Sequence, residues 1–133
     1  MKNTIENIEN DFWGEPEFNS HLVTTCHKLR RKDIDDFTIE DLRIMIGQNI
    51  ALPILVPIAI CKLRDNVFAE GDFYPGDLLL NVLRSQREFW NENVDLKMEV
   101  IFLFEKRRNY LDEVVYADEI KMNILEAFEN FKK

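Results

Sequence analysis

Apolar residues recur at steps of three and four along most of this chain, and one stretch departs from that rule by being apolar on nearly every side. From Ile50 to Leu63 the sequence reads Ile-Ala-Leu-Pro-Ile-Leu-Val-Pro-Ile-Ala-Ile-Cys-Lys-Leu. A helix without a polar face belongs at the centre of a fold, with amphipathic helices packed on it. Pro53 suits the first turn of such a helix, where a missing N–H costs little. Pro57 has two placements: it kinks a helix that begins at Pro53, or opens one that begins near Val56. Just upstream, Thr38 and Asp41 have the spacing of a capping box, with Asp in place of Glu. Leu42, Met45 and Ile46 then share one face, and Gly47 is the expected left-handed terminator.

Nearer the N-terminus, Thr4 caps a short helix to Asn10, and Ser20 caps an amphipathic helix carrying Leu22, Val23, Cys26 and Leu29. Between them, Trp13, Gly14 and Pro16 make Asp11 to Phe18 a turn. The second helix ends in Lys28, Arg30, Arg31 and Lys32, cations that complement a helix C-terminus. Beyond the central stretch, Glu70-Gly-Asp-Phe-Tyr-Pro-Gly-Asp77 is a loop. Pro75-Gly76 fits a type II turn with Gly76 at positive φ. Asp77 is placed to cap a helix over 78–84, whose apolar face is Leu78, Leu79, Val82 and Leu83. Arg87 to Asn93 reads as a polar connection with two aromatic anchors, Phe89 and Trp90. Val94, Met98, Ile101 and Phe102 have helical spacing, although Met98–Phe104 is rich enough in β-branched and aromatic residues to leave a strand open; helix is preferred because no second strand is evident. Ala117, Ile120, Ile124, Ala127, Phe128 and Phe131 form a final helical stripe. The pattern predicts an all-α fold: residues 1–133 as a single compact helical domain of about six to eight helices around the apolar one.

Charge narrows the partner. The chain of 133 residues has 25 acidic against 17 basic side chains, a formal net charge of -8. That balance repels nucleic acid and steers basic partners toward the surface. The acids are spread: Glu6, Glu9, Asp11, Glu15 and Glu17 face only Lys2 within the first 20 residues, and 68–80 holds Glu70, Asp72 and Asp77 with no cation. Cys26 and Cys61 sit in apolar runs as small hydrophobes rather than as a disulfide framework. The N-terminus lacks the apolar core of a signal peptide, and the Ile50–Cys61 run is shorter than a membrane span. A soluble, reduced, cytoplasmic protein is expected.

Catalytic chemistry is hard to place. His21, Cys26, His27 and Cys61 are the only soft ligands and show no metal-binding spacing, so neither a metal nor another cofactor is expected. Ser20 and Ser85 have no nucleophile context, and there is no phosphate-binding glycine loop. Asp72, Tyr74 and Asp77 are the remaining option for acid–base work, but turn and cap roles account for both carboxylates.

Several segments are similar to the immunity proteins of bacterial contact-dependent growth inhibition systems, the CdiI group. They are Phe12–Pro16, Glu40–Arg43, Ile46–Gln48, Val56–Ala59 and above all Glu70–Leu79. The resemblance covers roughly Phe12 to Trp90. It implies a cytosolic inhibitor that binds and neutralises a cognate toxin domain, frequently a nuclease with a basic substrate groove, and that does no chemistry itself. It also implies that the shared motifs belong to the scaffold, because such pairs are specific and their contact surfaces vary.

Two other readings stand beside it: a non-catalytic adaptor for a basic protein, and an enzyme using Asp72, Tyr74 and Asp77. With a toxin as partner, the expected contacts are Trp13, Glu15, Glu17, Glu70, Asp72 and Tyr74, aromatic anchors with acids around them. Trp13 serves equally well as part of a packed turn with Gly14 and Pro16. The expected complex is 1:1, with a monomeric inhibitor.

Overall fold

The structure, a computed structural model, describes residues 3–17 and 20–133; Lys2 and Phe18, which entered the reading above, lie outside them. The described residues are all-α. They form α1 (Ile5–Glu9), α2 (His21–Arg30), α3 (Ile39–Gly47), α4 (Leu52–Asp65), α5 (Asp77–Arg84), α6 (Arg87–Glu92), α7 (Val94–Arg107), α8 (Leu111–Val114) and α9 (Asp118–Lys132), with short 3-10 turns at Ile34–Asp36 and Arg108–Tyr110. Leaving aside the single turns α1 and α8, seven remain, within the expected six to eight. Met98–Phe104 is helical, inside α7.

The caps follow the sequence. Thr4 and Ser20 accept from backbone N–H groups of Asn7 and Val23. Thr38 and Asp41 close the capping box in both directions. These side chains take up N–H groups that a helix start leaves without partners.

One hydrophobic cluster forms the core. It takes Leu42, Met45 and Ile46 from α3, six residues from Leu52 to Leu63 of α4, the α5 face, and Ile124, Ala127, Phe128 and Phe131 of α9. The α4 helix is central but not enclosed. Leu55, Val56, Ala59 and Ile60 are buried, while Pro53, Pro57 and Cys61 face solvent and Ile58 is only partly buried. The helix starts at Leu52, so Pro57 lies inside it. Its exposed position keeps the proline ring out of the core, where it would disturb packing as well as the ladder. Cys61 is therefore not a core thiol, whereas Cys26 is buried; both are free.

Three further expectations are corrected. Gly47 is the last helical residue of α3, and the left-handed residues after it are Asn49 and Ala51. Gly47 is needed for packing: a Cβ there would sit 2.9 Å from Nδ2 of Asn81 on α5. Arg87–Asn93 is largely helix α6, with Phe89 and Trp90 buried and the Trp90 Nε1–H donating to Ser85 Oγ at 2.8 Å. The α7 stripe is phased differently. Val100 and Phe104 enter the core, while Val94, Met98 and Phe102 are exposed. Helical spacing alone did not reveal which of two apolar stripes on α7 turns inward.

Candidate partner interface

The loop between α4 and α5 is built around one carboxylate. Asp77, 2% exposed, is the first residue of α5. Its oxygens accept from the N–H groups of Gly71 (2.7 Å), Phe73 (3.1 Å) and Tyr74 (3.4 Å). Asp77 is thus not a helix cap as expected; Gly76 occupies the N-cap position with no side-chain bond to the helix. The type II turn is present: Gly76 has φ 91° and ψ 1°, and Asp77 N–H donates to Tyr74 O at 3.1 Å. A Cβ on Gly76 would also meet Ile124 Cδ1 of α9 at 3.1 Å. Gly71 is equally constrained, because a Cβ there would lie 2.6 Å from Oε1 of Glu40.

Glu40 and Arg43 of α3 complete this network. Arg43 donates twice to Glu40, each bond at 2.6 Å, and lies 4.0 Å from Asp77. Glu40 also accepts from Asp72 N–H at 2.9 Å, and Asn81 Nδ2 donates to Arg43 O at 2.9 Å. The Arg43 hydrogen bond is the chief reason the Glu40 carboxyl is held below its ordinary range, with the Asp72 N–H adding to it. Glu40–Arg43 and Glu70–Asp77, far apart in sequence, are two halves of one lock between α3, the loop and α5. The Asp77 carboxylate is taken up by three N–H groups of the loop, so it is a structural carboxylate rather than a free base. It is also not part of an uncompensated acidic surface.

At the loop tip, Asp72 and Glu70 are exposed. Tyr74 is partly buried against the core, and that burial, followed by the nearby Asp77, pushes its phenol up. Phe73, absent from the expected contacts, is 66% exposed and lies over Arg43, 4.4 Å from ring centroid to guanidinium carbon.

The other expected contacts lie on the strap between α1 and α2. Trp13 is 40% exposed, so it is neither a core residue nor a free one. Arg30 sits 4.2 Å beneath its ring and His27 meets the ring at 5.1 Å between centroids. Arg30, 1% exposed, donates to Glu9 Oε1 at 2.7 Å and to Asp11 O at 2.6 Å. Arg31 donates to Gly14 O at 2.7 Å and pairs with Glu6 and Glu15. The cations at the end of α2 therefore do more than complement a helix terminus: they hold the strap. Glu15 is partly answered by Arg31, while Glu17, Glu70 and Asp72 make no ion pair among the described residues. Ile8 and Phe12 are exposed nearby in the chain. No signal in the local sequence linked Arg30 to Trp13, which lie 17 positions apart.

With this geometry in view, the family match has a physical meaning. The profile of a family described as CDI immunity proteins matches residues 7–100, and the chain belongs to that family. The matched span contains the strap, both halves of the lock and the first half of α7. Its immunity role is directed against a CDI toxin. No curated protein and no solved structure matches the chain. No helix of the described residues is long and apolar enough to cross a membrane.

Proposed function

We propose that this protein neutralises its cognate toxin in the cytoplasm by stoichiometric occlusion, without catalysis of its own. Residues 1–133 act as one immunity domain, monomeric before binding and 1:1 with the toxin. The toxin is a basic domain, a nuclease by preference, and the inhibitor's acidic surface covers its substrate groove. Trp13, Glu15, Glu17, Glu70, Asp72 and the open side of Tyr74 form the contact. The observation that carries this reading is the pairing of family membership with a net charge of -8 whose exposed carboxylates stand beside exposed aromatics. Acids of that kind steer a basic partner, and rigid aromatics hold it once it arrives.

The experiment is co-purification with the toxin domain encoded beside the immunity gene, followed by titration of that toxin's nuclease activity on RNA and DNA. Inhibition complete at one equivalent supports occlusion. A stable complex in which the toxin still cuts its substrate contradicts it.

A further inference from the structure

Two exposed aromatic rings among the described residues rest on arginines whose charges are answered by carboxylates. Trp13 stands on Arg30, which Glu9 holds; Phe73 stands on Arg43, which Glu40 holds beside Asp77. The two differ in rigidity and exposure. Phe73 is the more exposed ring, yet its backbone is the more tightly held. Its own N–H and that of Tyr74 donate to Asp77, and that of Asp72 donates to Glu40. The fold thus fixes the position of a large apolar side chain and leaves most of it in water.

We propose that Phe73 is the apolar anchor through which the 70–77 loop docks on the cognate toxin, entering a pocket with a basic rim. This rests on the immunity reading above, which supplies the partner. Charge supplies the partner's local chemistry. Glu70 and Asp72 flank Phe73, both are exposed, and residues 68–80 contain no Lys or Arg. Arg43 lies under the ring with Glu40 and Asp77 against it. What the loop offers a partner is a phenyl ring with two carboxylates beside it. An aromatic held in its bound position loses little conformational freedom on association, which is the usual property of a dominant interface residue. Tyr74 has its ring against the core instead, so the loop's anchor is its neighbour.

The test measures binding of the toxin domain encoded beside the immunity gene, by titration calorimetry, to wild type, Phe73→Ala, Phe73→Trp and Asp77→Ala, with thermal unfolding of each variant alone. Phe73→Ala should unfold at the wild-type temperature and bind roughly 30-fold or more weakly, the scale of a hot-spot truncation. Phe73→Trp should retain most of the affinity. Wild type that binds together with Phe73→Ala that binds equally well overturns the inference and leaves the immunity reading intact. So does a Phe73→Ala that loses affinity only in step with a fall in unfolding temperature like that of Asp77→Ala. Wild type that fails to bind the toxin removes the immunity reading, and the inference with it.

Discussion

In the 70–77 loop the buried charge is a carboxylate, and the loop's own N–H groups surround it. In the 9–17 strap the buried charge is a guanidinium, delivered by the last turn of α2, and the strap supplies carbonyls and acids. Asp77 is met by three N–H donors and a cation. Arg30 is less completely met, since its buried Nε has no partner. The loop is also continuous with the core through Phe68, Ala69 and Gly76, whereas every residue from Glu9 to Glu15 is exposed. One aromatic is therefore presented by a loop locked to itself through Asp77 and to α3 through Glu40 and Arg43, and the other by arginines at the end of α2 that reach 16 to 25 residues back along the chain. The strap should respond to salt and to loss of Arg30, and the loop to loss of the buried Asp77 carboxylate and to changes of shape at Gly76.

The largest effect expected is at the loop. Asp77→Ala leaves three N–H groups without their acceptor and takes one of two carboxylates from beside Arg43, so it should cost roughly 3 kcal/mol in urea unfolding, more than the loss of a simple cap. A cost below about 1 kcal/mol would reduce the lock to an ordinary cap. Next is Arg30→Met, which keeps volume but removes the strap's hold. It should cost about 2 kcal/mol, and proteolysis should then cut between Glu9 and Glu17. Resistance to cleavage equal to wild type would mean that the strap does not depend on Arg30. Gly76→Ala forces a left-handed φ on a residue with a Cβ and presses on Ile124, for about 1–2 kcal/mol by the same urea assay.

The smallest effect is a dependence on pH. Glu40 has a lowered pKa, chiefly from Arg43, so the folded state holds its proton less tightly than the unfolded chain. Its contribution is present in full above the ordinary glutamate value and fades as pH falls through the lowered one. Urea midpoints taken from neutral pH into the acid range should therefore fall less steeply for Glu40→Gln than for wild type. Parallel slopes would show that Glu40 gains nothing from Arg43.

This contrast also explains what could be read from the sequence. The loop is contiguous, and its turn, its glycine and its acid each have a local signature, so Pro75-Gly76 was legible. The target of Asp77 was not, because a carboxylate at a helix start can face the helix or the loop behind it. Caps at Thr4, Ser20 and Thr38 and the stripes of α5 and α9 depend on neighbours within a turn or two. The strap's partners do not: nothing near Trp13 announces Arg30, and Arg31 looked like a terminus cation until Gly14 lay beside it. Phe73 and Tyr74 are adjacent and equally aromatic, and only the fold decides that Tyr74 turns inward and Phe73 outward. The same ambiguity holds on α7, where Phe102 and Phe104 lie on different apolar stripes and the fold buries only Phe104.

The central claim is that exposed acids beside these rings guide a basic toxin to the surface. Rapid-mixing association of the toxin domain, followed across a range of salt with wild type and with Glu15, Glu17, Glu70 and Asp72 reversed to lysine, tests it most directly. The account predicts that wild-type association slows markedly as salt rises while dissociation changes little, and that the reversed protein associates slowly at every salt concentration. An association rate indifferent to both salt and reversal, in a variant that remains folded, would contradict it.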